Sequence, residues 1–166
     1  MEQRATTLDL ADEYTERLAY LGITPETGRL LRSFWPQVEP ALPRILDEFY
    51  NHIGTVPTLA ALIGDQRQRL MKAQSTHWAT LFSGRFDHEY FASARAVGHA
   101  HNRIGLEPRW YIGGYGFVLR RLLTLAAKQF SFGRSQNAAL AAAITTVVLL
   151  DIDLSISTYQ EAMLQD

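Results

Sequence analysis

Few residues of this sequence have types and spacings that could do chemistry, and the histidines are the most informative of them. The chain has five histidines, none in an HExxH pattern. His99 and His101 lie two positions apart, so on a helix they point to different faces and cannot serve one site. Val97, His101 and Ile104 follow the spacing i, i+4 and i+7, which predicts that His101 lies on the buried face. A lone buried histidine is either a hydrogen-bonded core residue or the single protein ligand of a metal.

Several other kinds of site are excluded or disfavoured by the composition. The absence of cysteine excludes disulfides, thiolate metal sites and cysteine nucleophiles. The glycine-rich stretch Gly113–Gly116 falls inside a predicted helix rather than after a strand, so it does not resemble a phosphate-binding loop. Carboxylates such as Asp47, Glu48, Asp151 and Asp153 occupy positions typical of a solvated helix face. We therefore expect a cofactor protein, if the domain does chemistry, rather than an enzyme that uses only its own side chains.

The charge pattern disfavours nucleic acid as a partner, and the length of the apolar run disfavours a membrane. Sixteen basic residues, scattered along the chain, face seventeen acidic ones, and the net charge of -1 argues against nucleic-acid binding. The longest apolar run, residues 138–150, is shorter than the roughly 20 residues of a membrane span, and it contains two threonines. We expect a soluble, cytoplasmic protein that binds neither nucleic acid nor membrane.

The elements that must position these residues are helices almost throughout. Apolar residues recur at helical spacing, and prolines and glycines separate the segments. The spacing predicts a single all-α domain over residues 1–166 with roughly eight helices, of which the two longest are C-terminal and antiparallel. The predicted helices are Thr7–Tyr20, Pro25 to a stop at Pro36, Leu42–Ile53, Pro57–Ile63, Asp65–Phe82, Asp87–Arg103, Pro108–Phe130, and Gln136 towards the C-terminus.

His101 lies in the last turn of its predicted helix, directly before a stiff joint. Gly105 is placed to end the helix as its C′ glycine, and Pro108 to open the next one. The stretch from His101 to Tyr115, HNRIGLEPRWYIGGY, resembles the proximal segment of the globin-coupled sensors, which are bacterial haem globins fused to signalling domains. That family has a histidine, two residues, Ile-Gly-Leu, and then Pro-x-Trp-Tyr, and this sequence matches every position in register.

A second segment carries the same resemblance. ILDEFYNHI, residues 45–53, is similar to the helix that bears the distal Phe-Tyr pair of the family, here Phe49 and Tyr50. The separation of Tyr50 from His101 is also close to the family's. The resemblance covers nearly the whole chain, with residues 1–22 as the additional N-terminal helix and residues 25–166 as the globin core. It implies a globin fold that binds haem b.

The resemblance also implies roles for individual residues. His101 would be the proximal iron ligand through Nε2, and the hydroxyl of Tyr111 would contact the backbone near His101. Tyr50 would donate a hydrogen bond to bound dioxygen, and His77 would lie near a haem edge. Met71, Gln74 and Ser75 remain open as candidates for a second contact with the ligand. The cofactor-binding residues implied in this way are His101, Tyr50, Phe49, Met71, Gln74, Ser75, Trp78, Val97, Ile104 and Tyr111.

The function that follows from the resemblance is that of a haem-based dioxygen sensor domain, with CO and NO as further diatomic ligands. It would form a homodimer through residues 111–130 and 136–163. It would signal to a C-terminal output domain, such as a diguanylate cyclase or a chemotaxis transducer, without being an enzyme itself. Two alternatives stay open, namely a non-haem globin-like interaction module and a stand-alone haem globin for dioxygen storage or nitric oxide chemistry. The presence of both His101 and Tyr50 disfavours the first alternative, and the long C-terminal helices disfavour the second.

Overall fold

A computed structural model describes residues 2–129 and 133–165, with side chains from residue 11 onward. All regular secondary structure in these ranges is helical, which confirms the predicted all-α fold. The helices there are α1 (Glu2–Tyr20), α2 (Pro25–Ile53), α3 (Pro57–Ile63), α4 (Arg67–Phe82), α5 (His88–Arg103), α6 (Pro108–Ala127) and α7 (Arg134–Gln165). Phe130, the predicted end of the sixth of these helices, lies outside the described residues.

Helix α2 corrects the prediction that Pro36 ends a helix. It runs on to Ile53 with Pro36, Pro40 and Pro43 in its interior, so two predicted helices are one. An interior proline costs roughly 3 kcal/mol, whereas each large apolar side chain that is buried contributes roughly 1.5–3 kcal/mol. The apolar stripe of α2 runs unbroken past all three prolines, and its burial offsets their cost. The buried members of that stripe are Leu31, Phe34, Val38, Leu42, Ile45 and Leu46.

Because α2 is continuous, the order of the helices by length also differs from the prediction. At 29 residues α2 is longer than α6, which has 20 residues, so the prediction that the two longest helices are C-terminal is wrong. The start of α4 also differs slightly from the prediction, because the helix begins at Arg67, with Gln66 as its N-cap, rather than at Asp65. The start of α5 is as predicted, since the side chain of Asp87 accepts a hydrogen bond from the backbone N–H of Tyr90 at 3.1 Å.

Helices α6 and α7 pack against each other in an antiparallel arrangement, as predicted. Asn137 donates to the carbonyl oxygen of Gln129 at 3.2 Å near the connection, and Tyr115 donates to Asp151 at 2.7 Å near the far end. Helix α7 also packs closely on α5, where a Cβ atom added to Gly98 would lie 2.3 Å from Oγ1 of Thr158. By length and composition α7 could cross a membrane, but half of its most apolar window is buried inside this fold.

A cluster of polar side chains, the Asp151 cluster, is buried where α4, α5, α6 and α7 meet. Its members are His77, Tyr90, Ser93, Tyr115 and Asp151. Asp151 is only 1 % exposed, so the prediction that it lies on a solvated face is wrong. Its carboxylate accepts hydrogen bonds from His77 Nε2 at 2.7 Å, from the Tyr90 hydroxyl at 2.6 Å and from the Tyr115 hydroxyl at 2.7 Å. The second ring nitrogen of His77 is hydrogen-bonded to Ser93 Oγ at 2.8 Å.

His77 and Asp151 of the cluster form an ion pair when the histidine is protonated. Burial raises the pKa of Asp151, but the charge of His77 and the three hydrogen bonds outweigh burial and hold that pKa below its ordinary value. Burial lowers the pKa of His77, but the adjacent carboxylate outweighs it and raises the pKa above its ordinary value. Because three donors surround it, the buried carboxylate keeps its charge in the protein interior.

The cluster makes stability depend on pH in a definite direction. The pKa of His77 is raised, so its contribution is complete below its unfolded value and is lost as the pH rises through its folded value. The pKa of Asp151 is lowered, so its contribution is lost only in acid, as the pH falls through its folded value. We expect His77→Gln to lower the free energy of unfolding at pH 6 by about 3–5 kcal/mol, because it leaves a buried charge without its partner.

Urea denaturation between pH 5.5 and 8.5 measures this effect. The wild-type protein should lose stability towards the alkaline end of the series, and His77→Gln should show a flatter profile. His99→Gln is the matched control, since His99 is exposed on α5. Parallel pH profiles for His77→Gln and the wild type would show that no ion pair forms at His77.

Candidate ligand cavity

A cavity of about 410 Å³ opens between α2, α3, α4 and the joint between α5 and α6. This volume lies in the range of small-molecule and cofactor sites. Its walls are mainly aromatic and aliphatic side chains from all of these elements. The residues that line it are Phe49, Tyr50, His52, Ile53, Val56, Leu59, Leu62, Ile63, Gln66, Arg69, Leu70, Gln74, Trp78, His101, Ile104, Leu106, Arg109, Trp110, Tyr111, Gly113, Gly114, Tyr115 and Val118.

The joint after α5 places His101 in the cavity wall. Gly105 has a φ of +71°, a conformation that favours glycine, and it ends the helix as predicted. The N–H of Leu106 then bonds back to the carbonyl oxygen of His101 at 2.9 Å, and Pro108 opens α6. Ile104 also lines the cavity, whereas Val97, one turn before His101, is half-buried and does not.

His101 is stacked on Tyr111, and neither side chain has a hydrogen bond to the described residues. The two ring centroids lie 5.1 Å apart with an angle of 17° between the planes. Both His101 Nδ1 and the Tyr111 hydroxyl are buried without a partner. The predicted contact of the Tyr111 hydroxyl with the backbone is therefore wrong, and ring stacking takes its place. Burial lowers the pKa of His101 to about 4, so near neutral pH the imidazole is uncharged and has a free lone pair.

Tyr50 brings a hydroxyl group from α2 into the same cavity. The residue is 6 % exposed, and its ring packs edge-on against Phe49 with a centroid distance of 5.1 Å. Phe49 in turn lies against Gly114 of α6, where an added Cβ atom would be 3.2 Å from the aromatic ring. Burial raises the pKa of Tyr50 to about 12, against a small opposite effect of Arg67. The phenol therefore stays protonated and can donate a hydrogen bond into the cavity.

Helix α4 separates the three residues that the sequence left open for a second contact. Gln74 lines the cavity, whereas Met71 and Ser75 are half-buried and do not line it. Trp78 also lines the cavity, and its indole N–H donates to Gln74 Oε1 at 3.1 Å. Because that bond occupies the amide oxygen, the amide group of Gln74 is left with its N–H donors. His77, expected near a cofactor edge, is 4 % exposed within the Asp151 cluster and does not line the cavity.

Part of the cavity wall was not anticipated from the sequence. One set of lining residues that the sequence did not predict is the apolar side of the short helix α3, together with Val56 before it. A further set is on α6, where Gly114, Tyr115 and Val118 follow the predicted residue Tyr111 at i+3, i+4 and i+7. That spacing is a signal by which the α6 wall could have been found. Two exposed arginines at the rim, Arg69 and Arg109, were also missed.

The donor set of the cavity fits haem better than a bare metal ion. Among the described residues no three His, Cys, Asp or Glu side chains lie close enough together to hold an ion. His52 also lines the cavity, but it is exposed and stacked on Phe117. His101 is the histidine whose Nδ1 atom is buried without a partner. A metal that brings most of its own ligands, as iron does in haem, needs only one such residue.

Comparisons with known proteins agree with this interpretation. Residues 10–165 match the family described as Protoglobin. A protein of Halobacterium salinarum named heme-based aerotactic transducer HemAT is 27 % identical over 132 residues, which are 78 % of this chain. This chain spans about 27 % of the length of that transducer.

Solved structures of globin domains share the fold. The globin domain of the Geobacter sulfurreducens globin-coupled sensor matches with a TM-score of 0.82 and 24 % identity, over 87 % of this chain and 96 % of that one. The ferric form of the E. coli DosC globin domain matches with a TM-score of 0.72 and 13 % identity, over 88 % and 97 % of the two chains. The chain therefore belongs to the Protoglobin family and has the fold of the globin domains of globin-coupled sensors.

Proposed function

We propose that this chain is a haem-b sensor domain that takes dioxygen as its ligand and passes the state of its cavity to a partner domain. One observation carries the proposal: a single cavity contains an uncharged histidine, His101, and a protonated phenol, Tyr50. When bound, haem supplies an iron atom that binds diatomic gases reversibly. The residues of this chain supply its attachment, the polarity of the pocket and the exclusion of water.

Three kinds of residue would hold the cofactor. His101 would be the iron ligand, since the low pKa leaves its lone pair free at neutral pH. The aromatic and aliphatic walls match the apolar face of a porphyrin and contribute by burial. Arg69 lies at the rim, where its charge can pair with a propionate group. Arg109 also lies at the rim, where it is paired with Glu107.

Tyr50 would select among gaseous ligands by hydrogen bonding. Its hydroxyl makes no hydrogen bond to the described residues, and the raised pKa keeps its proton in place. Dioxygen gains more negative charge than carbon monoxide on binding to haem iron, so a phenol donor favours dioxygen. Gln74 would be a second donor, because its oxygen is already occupied by Trp78.

Dimerisation and signalling would use α6 and α7. Leu149 is 50 % exposed on α7 and Ile112 is 43 % exposed on α6, although each helix also buries several apolar residues in the core. An open apolar face on so apolar a helix favours a partner surface, and a second copy of the chain satisfies that need symmetrically. The name of the Halobacterium relative, an aerotactic transducer, supports an output domain of the chemotaxis-transducer type. A diguanylate cyclase is the other output domain that the sequence resemblance implies.

The cofactor assignment predicts the absorption spectrum. The purified protein reconstituted with haem should show a Soret band that shifts with CO. His101→Ala should lose the band or change its position, because the iron loses its protein ligand. His99→Ala, exposed two residues earlier on the same helix, should match the wild type. A wild-type protein that takes up no haem would favour the non-haem interaction module instead.

The role of Tyr50 predicts unequal effects on two gases. Loss of one hydrogen bond of roughly 1–3 kcal/mol should speed dioxygen dissociation about tenfold to a hundredfold in Tyr50→Phe. CO dissociation should change much less, since carbon monoxide accepts a weaker bond. Stopped-flow or flash photolysis measures both rates, and Tyr20→Phe, at a residue 92 % exposed, is the control. An unchanged dioxygen rate would assign the hydrogen bond to another residue, with Gln74 next in line.

The dimer surface predicts a change of mass in solution. Leu149→Glu should convert dimers into monomers, because it places a charge on the open apolar face of α7. Gln160→Glu adds the same charge at an exposed polar position of the same helix and should leave the dimer intact. Sedimentation velocity distinguishes the two species. A Leu149→Glu protein that stays dimeric would place the interface elsewhere.

A further inference from the structure

We propose that Asp151 is a positioning residue of the ligand cavity: it holds the cavity-lining side chain of Tyr115 and so joins the cavity wall to α7. The inference rests on the proposed function, since it concerns how ligand occupancy reaches the last helix. It concerns a group that plays no part in holding haem or gas.

Tyr115 belongs to both the cavity and the Asp151 cluster. The residue lines the cavity, while its hydroxyl donates to Asp151 Oδ2 at 2.7 Å. Its ring also contacts that of Trp78, another cavity residue, with a centroid distance of 6.3 Å and an angle of 63°. One side chain thus meets the ligand space and a carboxylate on α7.

Helix α4 provides a second connection between the cavity wall and Asp151. Trp78 lines the cavity, and the preceding residue, His77, donates to the same carboxylate oxygen at 2.7 Å. Two walls of the cavity, one on α4 and one on α6, are therefore tied to one atom, Asp151 Oδ2. Tyr90 donates to the other oxygen, Oδ1, at 2.6 Å and does not line the cavity.

The proximal side offers no equivalent polar link to α7 among the described residues. The hydroxyl of Tyr111 is buried without a hydrogen-bond partner, and Nδ1 of His101 is as well. Their contact with each other is a stacking of rings, which has little directional preference compared with a hydrogen bond to a carboxylate. Among the described residues, the direct hydrogen bond from a cavity-lining side chain to α7 is therefore that of Tyr115 to Asp151.

The physical consequence follows from burial. Asp151 is 1 % exposed, so a donor that moves away cannot be replaced by bulk water. A ligand that displaces the ring of Tyr115 must either break this bond or carry Asp151 with it. Since Asp151 lies in the middle of α7, both outcomes change the packing of that helix on α5 and α6.

Hydrogen–deuterium exchange on the haem-loaded protein, with and without CO, tests the proposal. In the wild type we expect CO to change exchange on α7 residues 147–155 by about fivefold or more, the lower range of allosteric couplings. Tyr115→Phe, which keeps the ring and removes the hydroxyl, should reduce the change to less than about twofold. Tyr90→Phe removes a donor from the same carboxylate without touching the cavity, and it should keep the wild-type response.

Each contrary outcome overturns either the inference or the proposed function. A Tyr115→Phe protein with the full wild-type response, or a Tyr90→Phe protein that loses the response equally, would show that Tyr115 does not carry the coupling. The wild-type measurement tests the inference without any variant. A CO response confined to residues 159–165, or no response at all, also overturns the inference. The absorption spectrum of each sample separates the two proposals. Absence of a Soret band refutes the proposed function, whereas haem and CO binding with a silent α7 refutes this inference alone.

Discussion

The interaction on which this structure most depends is the acceptance of three hydrogen bonds by one buried carboxylate. Asp151 is drawn into the centre of an otherwise apolar fold, where an unpaired charge would be prohibitively costly. His77, Tyr90 and Tyr115 come from three different helices and all converge on it. Apolar burial has no preferred direction, whereas hydrogen bonds to a charged acceptor fix the direction of each of the three donors. The cluster therefore fixes how α4, α5, α6 and α7 are placed, and α4, α5 and α6 contribute to the cavity wall.

In the cavity, burial shifts the pKa values of two groups in opposite directions. Burial lowers the pKa of His101 to about 4 and raises that of Tyr50 to about 12. Both shifts keep the group uncharged, because a low dielectric disfavours the cation of one and the anion of the other. The result is an uncharged nitrogen acceptor and an uncharged hydroxyl donor in one apolar space. That pair suits a neutral ligand that acquires partial charge only after binding, and it holds over a wide pH range.

The sequence predicted local features well and long-range ones poorly. The joint at Gly105 and Pro108 was predictable because glycine conformation and proline geometry act within a few residues. The prolines of α2 were misleading, since their cost is local whereas the offsetting burial depends on the whole core. Asp151 was misplaced on the surface because its histidine partner lies 74 positions away, and no helical period reveals that pairing. The sequence could not decide whether Gln74 or Ser75 lies in the cavity wall. One residue turns a helix by about 100°, so an uncertainty of one position in the match changes which side chain faces the cavity.

The Asp151 cluster also bears on the choice between a sensor and a store of dioxygen. Storage requires a cavity, an iron ligand and a donor, and the roles proposed for His101 and Tyr50 would meet those needs. It gives no reason to tie the cavity wall to a distant helix through a buried charge. In this fold the wall residue Tyr115 is bonded to the centre of α7, and α7 keeps Leu149 on an open apolar face. A cavity connected to an outward-facing helix in this way is what transmission of a binding event requires, and this connection favours the proposed signalling function over storage.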